Sequence, residues 1–178
     1  MKATGIVRRI DDLGRVVIPK EIRRTLHIRD GDPLEIYTEK DGEVIFKKYS
    51  PVNELSEFAE KICDALWKSG ESPAVICDRD SVVACGGTPK KGLNDRRVSE
   101  AVTALMETRK SYVSQEGAHL PLLESGDQYI TTACPIIAEG DLLGYVAFIG
   151  DKGAPAPTEV QIKLVSTVAA FLSKHMES

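Results

Sequence analysis

Short runs rich in isoleucine and valine recur in the first fifty residues of the chain, with turn residues between them. Such β-branched runs bounded by turn residues predict strands, here over residues 5–10, 15–18, 34–38 and 44–47. Pro19 ends the second of these strands and pre-sets the first turn of a short helix over residues 20–26. Asp41-Gly42 marks the turn of the second hairpin, because this tight turn needs positive φ. The segment is therefore predicted to be a small β-module with one short helix.

After Ser50-Pro51, segments with apolar residues at helical spacing alternate with strand-like segments. Apolar residues at helical spacing predict amphipathic helices over residues 53–68, 95–108 and 158–175. Thr158 and Gln161 form a capping-box pair at the start of the last helix. Strands are predicted over residues 74–77, 81–85, 129–137 and 142–149, with a long loop over residues 110–128. This order predicts an α+β body, an antiparallel sheet flanked by helices.

The two patterns divide the chain into an N-terminal domain over residues 1–50, a linker over residues 51–55 and a C-terminal domain over residues 56–178. The first domain is too small to bury much apolar surface by itself. Its sequence offers no disulfide or metal pattern that would compensate. We therefore expect two copies of the N-terminal domain to share one core.

The charge of the chain is unevenly distributed. The formal net charge is −4, but residues 1–29 carry a net charge of +5 and residues 51–178 a net charge of −6. A basic head on an acidic body fits a molecule with one anion-binding end. The alternative is that the basic segment is an ordinary solvated face.

Hydropathy argues against a membrane-spanning or secreted protein, and the spacing of the cysteines and histidines argues against a metal site. No apolar run approaches the roughly 18–20 residues that a bilayer span needs, and the N-terminus lacks the apolar core of a signal peptide, so we expect a cytoplasmic protein. The four cysteines include no C-x-x-C pair and are expected to be reduced, buried thiols. The three histidines, His27, His119 and His175, have no metal-ligand spacing. We expect neither a metal nor a cofactor.

A specific set of motifs runs through the N-terminal domain, at Thr4–Arg8, Asp11–Pro19 and Arg23–Leu26. In this spacing they closely resemble the AbrB-like, swapped-hairpin DNA-binding domain of bacterial transition-state regulators. The resemblance covers roughly residues 3–50 and implies that two chains interleave their hairpins into one β-barrel. It also implies a common DNA-contacting face that consists of Arg8, Arg15, Arg23 and Arg24, with Arg9 beside them.

The chemistry of these arginines agrees with the resemblance. Arginine presents five donors in a planar fork, which suits phosphates and guanine edges. The alternative is that the acidic residues between them, Asp11, Asp12 and Glu21, neutralise them in surface ion pairs. A further alternative is that Asp11 and Asp12 orient arginines rather than cancel their charge.

Residues 54–178 resemble a GAF domain, through the order of their elements and the apolar strand over residues 142–148. An AbrB-like head on a GAF-like body resembles regulators of sporulation in endospore-forming bacteria, which implies a DNA-binding transcription regulator of forespore genes. Whether it activates or represses is left open. Gly86-Gly87 and the loop over residues 110–128 are candidate edges of a pocket for an unknown small ligand. The alternative is a collapsed core used only for assembly.

The two long helices, over residues 53–68 and 158–175, each carry a wide apolar stripe. This favours a homotetramer in which N-terminal dimers join through helices of the C-terminal domain. One alternative is that both helices pack only on their own sheet. Another is that both contacts join the same two chains into a single closed dimer.

Two further function classes share these folds. Some GAF-like proteins are methionine sulfoxide reductases, for which Cys77, Cys85 and Cys134 are the candidate thiols. A cysteine within an apolar strand usually serves as a small hydrophobe, so no enzyme is expected. Antitoxins use the same swapped-hairpin barrel but usually follow it with a short disordered tail. Here a folded body of more than a hundred residues is predicted instead.

Overall fold

The computed structural model describes residues 4–115, 118 and 120–177, and the chain divides into two compact units, Met1–Tyr49 and Ser50–Ser178. His119 lies outside the described residues. The first unit contains helix α1 (Lys20–Thr25) and the antiparallel hairpin β1 (Leu34–Thr38) and β2 (Val44–Lys48). These three elements agree with the sequence predictions.

The N-terminal segment of the first unit contradicts the sequence prediction. Strands over residues 5–10 and 15–18 are absent from the described part of this segment. It does contain the predicted turn, where Asp11 N–H donates to the Arg15 carbonyl at 3.0 Å and Gly14 has φ +76°. A short β-branched run becomes a strand only when another strand completes its ladder of hydrogen bonds. The single chain provides no such neighbour here.

The second unit contains the remaining helices and strands. They are α2 (Pro51–Glu54), α3 (Ser56–Gly70), β3 (Ala74–Asp78), β4 (Val82–Gly86), α4 (Glu100–Thr108), β5 (Tyr112–Val113), β6 (Leu120–Pro121), β7 (Tyr129–Ala138), β8 (Asp141–Gly150) and α5 (Glu159–His175). The strands form one antiparallel sheet in the order β4-β3-β8-β7-β5, and β6 also pairs with β7. The chain therefore has the predicted α+β class.

Each face of this sheet supports its own apolar core. Because side chains alternate along a strand, Ile76 and Phe148 face the layer formed by α2, α3 and α5, where Val165 packs against them. Tyr145 lies on the opposite face, in a core to which α4 contributes Val102. Helices and loops thus cover both faces of the sheet.

The capping box predicted for the last helix is confirmed. Gln161 N–H donates to the Thr158 hydroxyl at 3.2 Å, and Thr158 N–H donates to Gln161 Oε1 at 3.0 Å. Among the described residues, no helix combines the length and apolarity needed to cross a membrane.

Three other boundaries differ from the predictions. The helix predicted from residue 53 is interrupted at Leu55, and residues 51–54, assigned to the linker, form α2, whose Val52 is buried in the second unit. Helix α4 begins at Glu100 rather than Asp95, because Asp95 has φ +61° and its N–H donates to the Val82 carbonyl. The predicted loop over residues 110–128 contains the short strands β5 and β6, which complete the sheet.

Candidate nucleic-acid interface

The turn before Arg15 is organised by one carboxylate. Asp11 Oδ1 accepts hydrogen bonds from the backbone N–H groups of Leu13 at 3.0 Å and Arg15 at 2.7 Å. Asp11 Oδ2 accepts from Arg15 Nε at 2.9 Å. The two hydrogen bonds from Arg15 hold the pKa of Asp11 below its usual value, because they stabilise the charged form. The Arg15 side chain is nevertheless 69% exposed.

Arg23 and Arg24 lie in the last turn of α1. Arg23 Nη1 donates to Asp30, which follows the helix, and Arg24 is exposed. Sequence reasoning missed Asp30, because a partner seven positions away beyond the end of a helix leaves no periodic signal. The pairing fixes Arg23 relative to the segment after α1.

Arg8 and Arg9 are exposed in the segment without regular secondary structure that precedes the turn. The five predicted residues therefore occupy an irregular segment, a turn and a short helix. Two of them carry an acidic partner within the described residues, namely Arg15 and Arg23. Of the acidic residues named in the alternative, only Asp11 pairs with one of these arginines in the described residues, since the partner of Arg23 is Asp30.

The core of the first unit is nearly absent in a single chain. Among described residues 4–49, only Pro19 is buried. The exposed large apolar side chains in this range are Ile6, Val7, Ile10, Leu13, Val16, Val17, Leu26, Ile36, Tyr37, Val44, Phe46 and Tyr49. Isolated side chains of this kind are common on protein surfaces, but a whole unit without a buried core is incomplete.

Gly86 and Gly87 have a packing role in the second unit. A Cβ on Gly86 would lie 2.4 Å from the Cys63 carbonyl oxygen of α3, and one on Gly87 would lie 2.4 Å from the Trp67 ring. The two glycines therefore let β4 and the residue after it approach α3. A cleft of about 240 Å³ lies further along the chain, between residues 88–93 and 123–128, and neither glycine lines it.

We expect the Gly86→Ala substitution to destabilise the second unit by about 1–3 kcal/mol, because the new methyl group would force α3 away from the sheet. Gly153→Ala is the matched control, since its Cβ would enter open space, and should change stability by less than about 0.5 kcal/mol. Urea unfolding of both variants measures the difference. Equal stabilities would contradict this packing role.

The three buried cysteines lie in surroundings that disfavour the thiolate. Burial raises the pKa of the Cys63 and Cys77 thiols far above its ordinary value, because desolvation penalises the charged form. Burial also raises the pKa of Cys85, whose Sγ donates to Asn94 Oδ1 at 3.2 Å. Cys134 is half-buried and accepts from the Ser111 hydroxyl at 3.5 Å. The described residues contain no group of three side chains able to hold a metal ion.

The outer faces of α3 and α5 present an aromatic cluster that consists of Phe58, Phe171 and His175. The ring centroids of Phe58 and Phe171 lie 6.1 Å apart, and the Phe171 and His175 rings stack at 6.0 Å. Phe171 remains 50% exposed. The apolar stripe of α5 thus extends beyond the part that packs on its own sheet.

Comparison with known proteins matches the two units separately. The model of the family described as stage V sporulation protein T C-terminal, transcription factor, matches residues 54–177. Residues 7–53 match a second family, described as antidote-toxin recognition MazE, bacterial antitoxin.

Two solved structures match parts of this chain. The N-terminal DNA recognition domain of the AbrB regulator from Bacillus subtilis is 63% identical and covers 29% of this chain and 94% of that one, with a TM-score of 0.26. A GAF domain from a Coxiella burnetii phosphoenolpyruvate-protein phosphotransferase is 18% identical and covers 68% of this chain and 82% of that one, with a TM-score of 0.50. At 18% identity, the latter likeness concerns the fold and not the function of the chain.

The full-length comparison decides the family. Stage V sporulation protein T from Bacillus subtilis strain 168 is 48% identical over 179 aligned residues, which cover 99% of each chain. The chain therefore belongs to the stage V sporulation protein T family and is a sporulation transcription regulator.

Proposed function

We propose that two copies of this chain interleave their N-terminal hairpins into one β-barrel, and that an arginine face of this dimer binds duplex DNA. The near-absence of a core in the first unit carries the proposal. A second copy would supply the missing ladder partners for residues 5–10 and 15–18 and would cover the exposed apolar side chains. In this proposal residues 1–50 are the DNA-binding and dimerisation domain, and residues 56–178 are the GAF-like sensor and oligomerisation domain.

The arginines supply the chemistry for DNA. The proposed face combines Arg8, Arg9, Arg15, Arg23 and Arg24 from each of two chains, in a segment of positive net charge. Arginine suits phosphate oxygens because its planar fork offers several donors at once. A regulator that contacts DNA works in the bacterial cytoplasm, which is where the proposal places the chain.

The salt dependence of DNA binding tests the proposal. If roughly five to eight phosphates are neutralised per dimer, log affinity should fall against log salt with a slope of about −4.5 to −7. Fluorescence anisotropy of the wild-type chain with labelled duplex DNA across a salt series measures this slope. A slope near zero, or no binding at low salt, would contradict a phosphate-contacting arginine face.

We further propose that two such dimers join into a tetramer through the outer faces of α3 and α5. The aromatic cluster of Phe58, Phe171 and His175 supports this, since exposed aromatic side chains are typical of protein interfaces. Val160, an exposed apolar residue on the same side of α5 as Phe171, extends the surface.

We expect Phe171→Glu to convert the tetramer to a dimer, because the substitution would bury a charge in the proposed interface. The control is Lys110→Gln, which makes the same change in net charge at an exposed position just after α4, outside α3 and α5, and should leave the mass unchanged. Light scattering gives the mass of each variant. A tetramer that persists in Phe171→Glu would reject this interface, and a wild type with the mass of a dimer would reject the tetramer.

Modulation by a small ligand is also proposed, at the cleft between residues 88–93 and 123–128. Two hydrogen bonds hold residues 123–128 in place. Glu100 N–H at the start of α4 donates to Glu124 Oε1 at 2.6 Å, and Arg96 Nη2 donates to the Ser125 hydroxyl at 3.2 Å. A cleft of about 240 Å³ suits only a small metabolite, since drug-sized pockets begin at about 300 Å³.

The other function classes gain less support. A thiol enzyme needs an accessible cysteine of lowered pKa, whereas burial raises the pKa of Cys77 and Cys85. The antitoxin family matches residues 7–53 alone, and the folded second unit follows. We therefore propose that the chain is a DNA-binding regulator without enzymatic activity.

A further inference from the structure

The carboxylate of Asp11 performs two separate tasks in the turn at residues 11–15. Its Oδ1 accepts two backbone N–H groups and closes the turn, while its Oδ2 accepts Nε–H of Arg15. The backbone of the turn and the direction of the guanidinium are therefore set by the same residue. Arg15 is connected to its own turn by both its main chain and its side chain.

The geometry of this pair leaves most of the arginine available. Guanidinium groups have five N–H donors, and Asp11 engages only the one on Nε. Both Nη groups of Arg15 stay outside this hydrogen bond, on a side chain that is largely exposed. The Arg23–Asp30 pair differs, because there an Nη group itself donates to the carboxylate. The hydrogen bond to Asp11 therefore restricts the Arg15 side chain while leaving both of its Nη groups free of Asp11.

We propose that Asp11 is a positioning residue for DNA binding, which builds the turn and holds Arg15 by Nε so that both Nη groups are presented to a DNA phosphate or base. This inference rests on the proposed function. It reverses the simple electrostatic expectation, in which an acidic residue beside a DNA-binding arginine weakens binding. Holding the side chain in advance lowers the conformational entropy lost on binding.

The Asp11→Asn substitution in the full-length chain separates the two expectations. The asparagine oxygen can still accept the two backbone N–H groups, but its amide NH₂ cannot accept from Nε. The change removes one negative charge per chain and so raises the net charge by one. If Asp11 only cancels charge, the variant binds duplex DNA more tightly with a steeper salt slope. If Asp11 positions Arg15, the affinity for duplex DNA falls by roughly threefold to tenfold despite the more positive net charge.

The matched control is Asp12→Asn, because Asp12 is exposed and contributes none of the three side-chain hydrogen bonds described for this turn. It makes the same change in charge and should leave the affinity unchanged or slightly higher. The double variant Asp11→Asn/Arg15→Ala should bind no more weakly than Arg15→Ala alone, since Asp11 acts through Arg15. Anisotropy with a fluorescein-labelled mixed-sequence duplex, at several salt concentrations, measures all four proteins beside wild type.

The outcomes separate this inference from the proposed function. Wild-type affinity in Arg15→Ala would overturn the assignment of Arg15 to the DNA face. Loss in Arg15→Ala, with equal or tighter binding by Asp11→Asn, would overturn the positioning role alone, as would additive losses in the double variant. If Asp11→Asn fails to fold, Arg15→Lys decides, since it keeps the charge and leaves Asp11 intact. Positioning predicts a clear loss there, and wild-type affinity would overturn it.

Discussion

Arg15→Ala and Arg23→Ala proteins should keep the native circular dichroism spectrum and oligomeric mass while losing most of their affinity for duplex DNA. Each substitution should cost about 1–3 kcal/mol where it removes a base contact, and should lower the salt slope by about one where it removes a phosphate contact. Both side chains are charged and reach solvent, with 69% of Arg15 and 35% of Arg23 exposed, so neither is expected in the shared apolar core of the proposed barrel. Loss of binding would therefore not reflect unfolding.

Arg109→Ala provides a matched control for these two variants. Arg109 is also an exposed arginine, but it lies in the second unit, where its Nη1 donates to the Gly140 carbonyl at 2.7 Å. Its removal should leave the DNA affinity within about twofold, since surface changes away from an interface have small effects. Anisotropy across a salt series, with circular dichroism beside it, measures all three variants. Equal affinities for Arg15→Ala, Arg23→Ala and wild type would make these arginines ordinary solvated charges.

Val7→Asp should abolish both the N-terminal dimer and DNA binding. Val7 is 87% exposed in the single chain, so a chain that remained monomeric would tolerate a carboxylate there. In the proposed barrel, alternation along the strand places Val7 on the face opposite Arg8, where a buried charge costs about 4 kcal/mol or more. The substitution therefore distinguishes a shared core from an exposed segment.

The control for Val7→Asp is Lys40→Gln. It also lowers the charge by one, at an exposed position of the β1–β2 turn, and should leave the dimer intact. Sedimentation of each full-length variant, with DNA anisotropy in parallel, gives the assembly state and the affinity. A Val7→Asp protein with native mass and native affinity would contradict the swapped-hairpin dimer.

Local signals in the sequence predict most of the second unit. The capping box at Thr158 and Gln161 involves residues three positions apart and therefore appears directly in the sequence. The long β7–β8 hairpin likewise follows from two apolar runs around a short turn that contains Gly140. Neither feature depends on a distant part of the chain.

Features that depend on distant contacts are the ones that sequence reasoning missed. The delayed start of α4 follows from the bond between Asp95 and Val82, and β6 forms because Leu120 pairs with Ile130. Residues 5–10 and 15–18 have the composition of strands, but composition alone cannot provide a ladder partner. The candidate arginines were found through a motif, whereas Asp30 gave no signal because its role depends on how the chain folds back after α1.

A crystal structure of the full-length chain bound to duplex DNA is the most direct test of the account. We expect two chains with interleaved N-terminal hairpins, residues 5–10 and 15–18 paired as strands, and Arg8, Arg15, Arg23 and Arg24 of both chains within hydrogen-bond distance of phosphates or bases. DNA bound to another surface, or N-terminal domains that remain separate with these arginines in solvent, would contradict it.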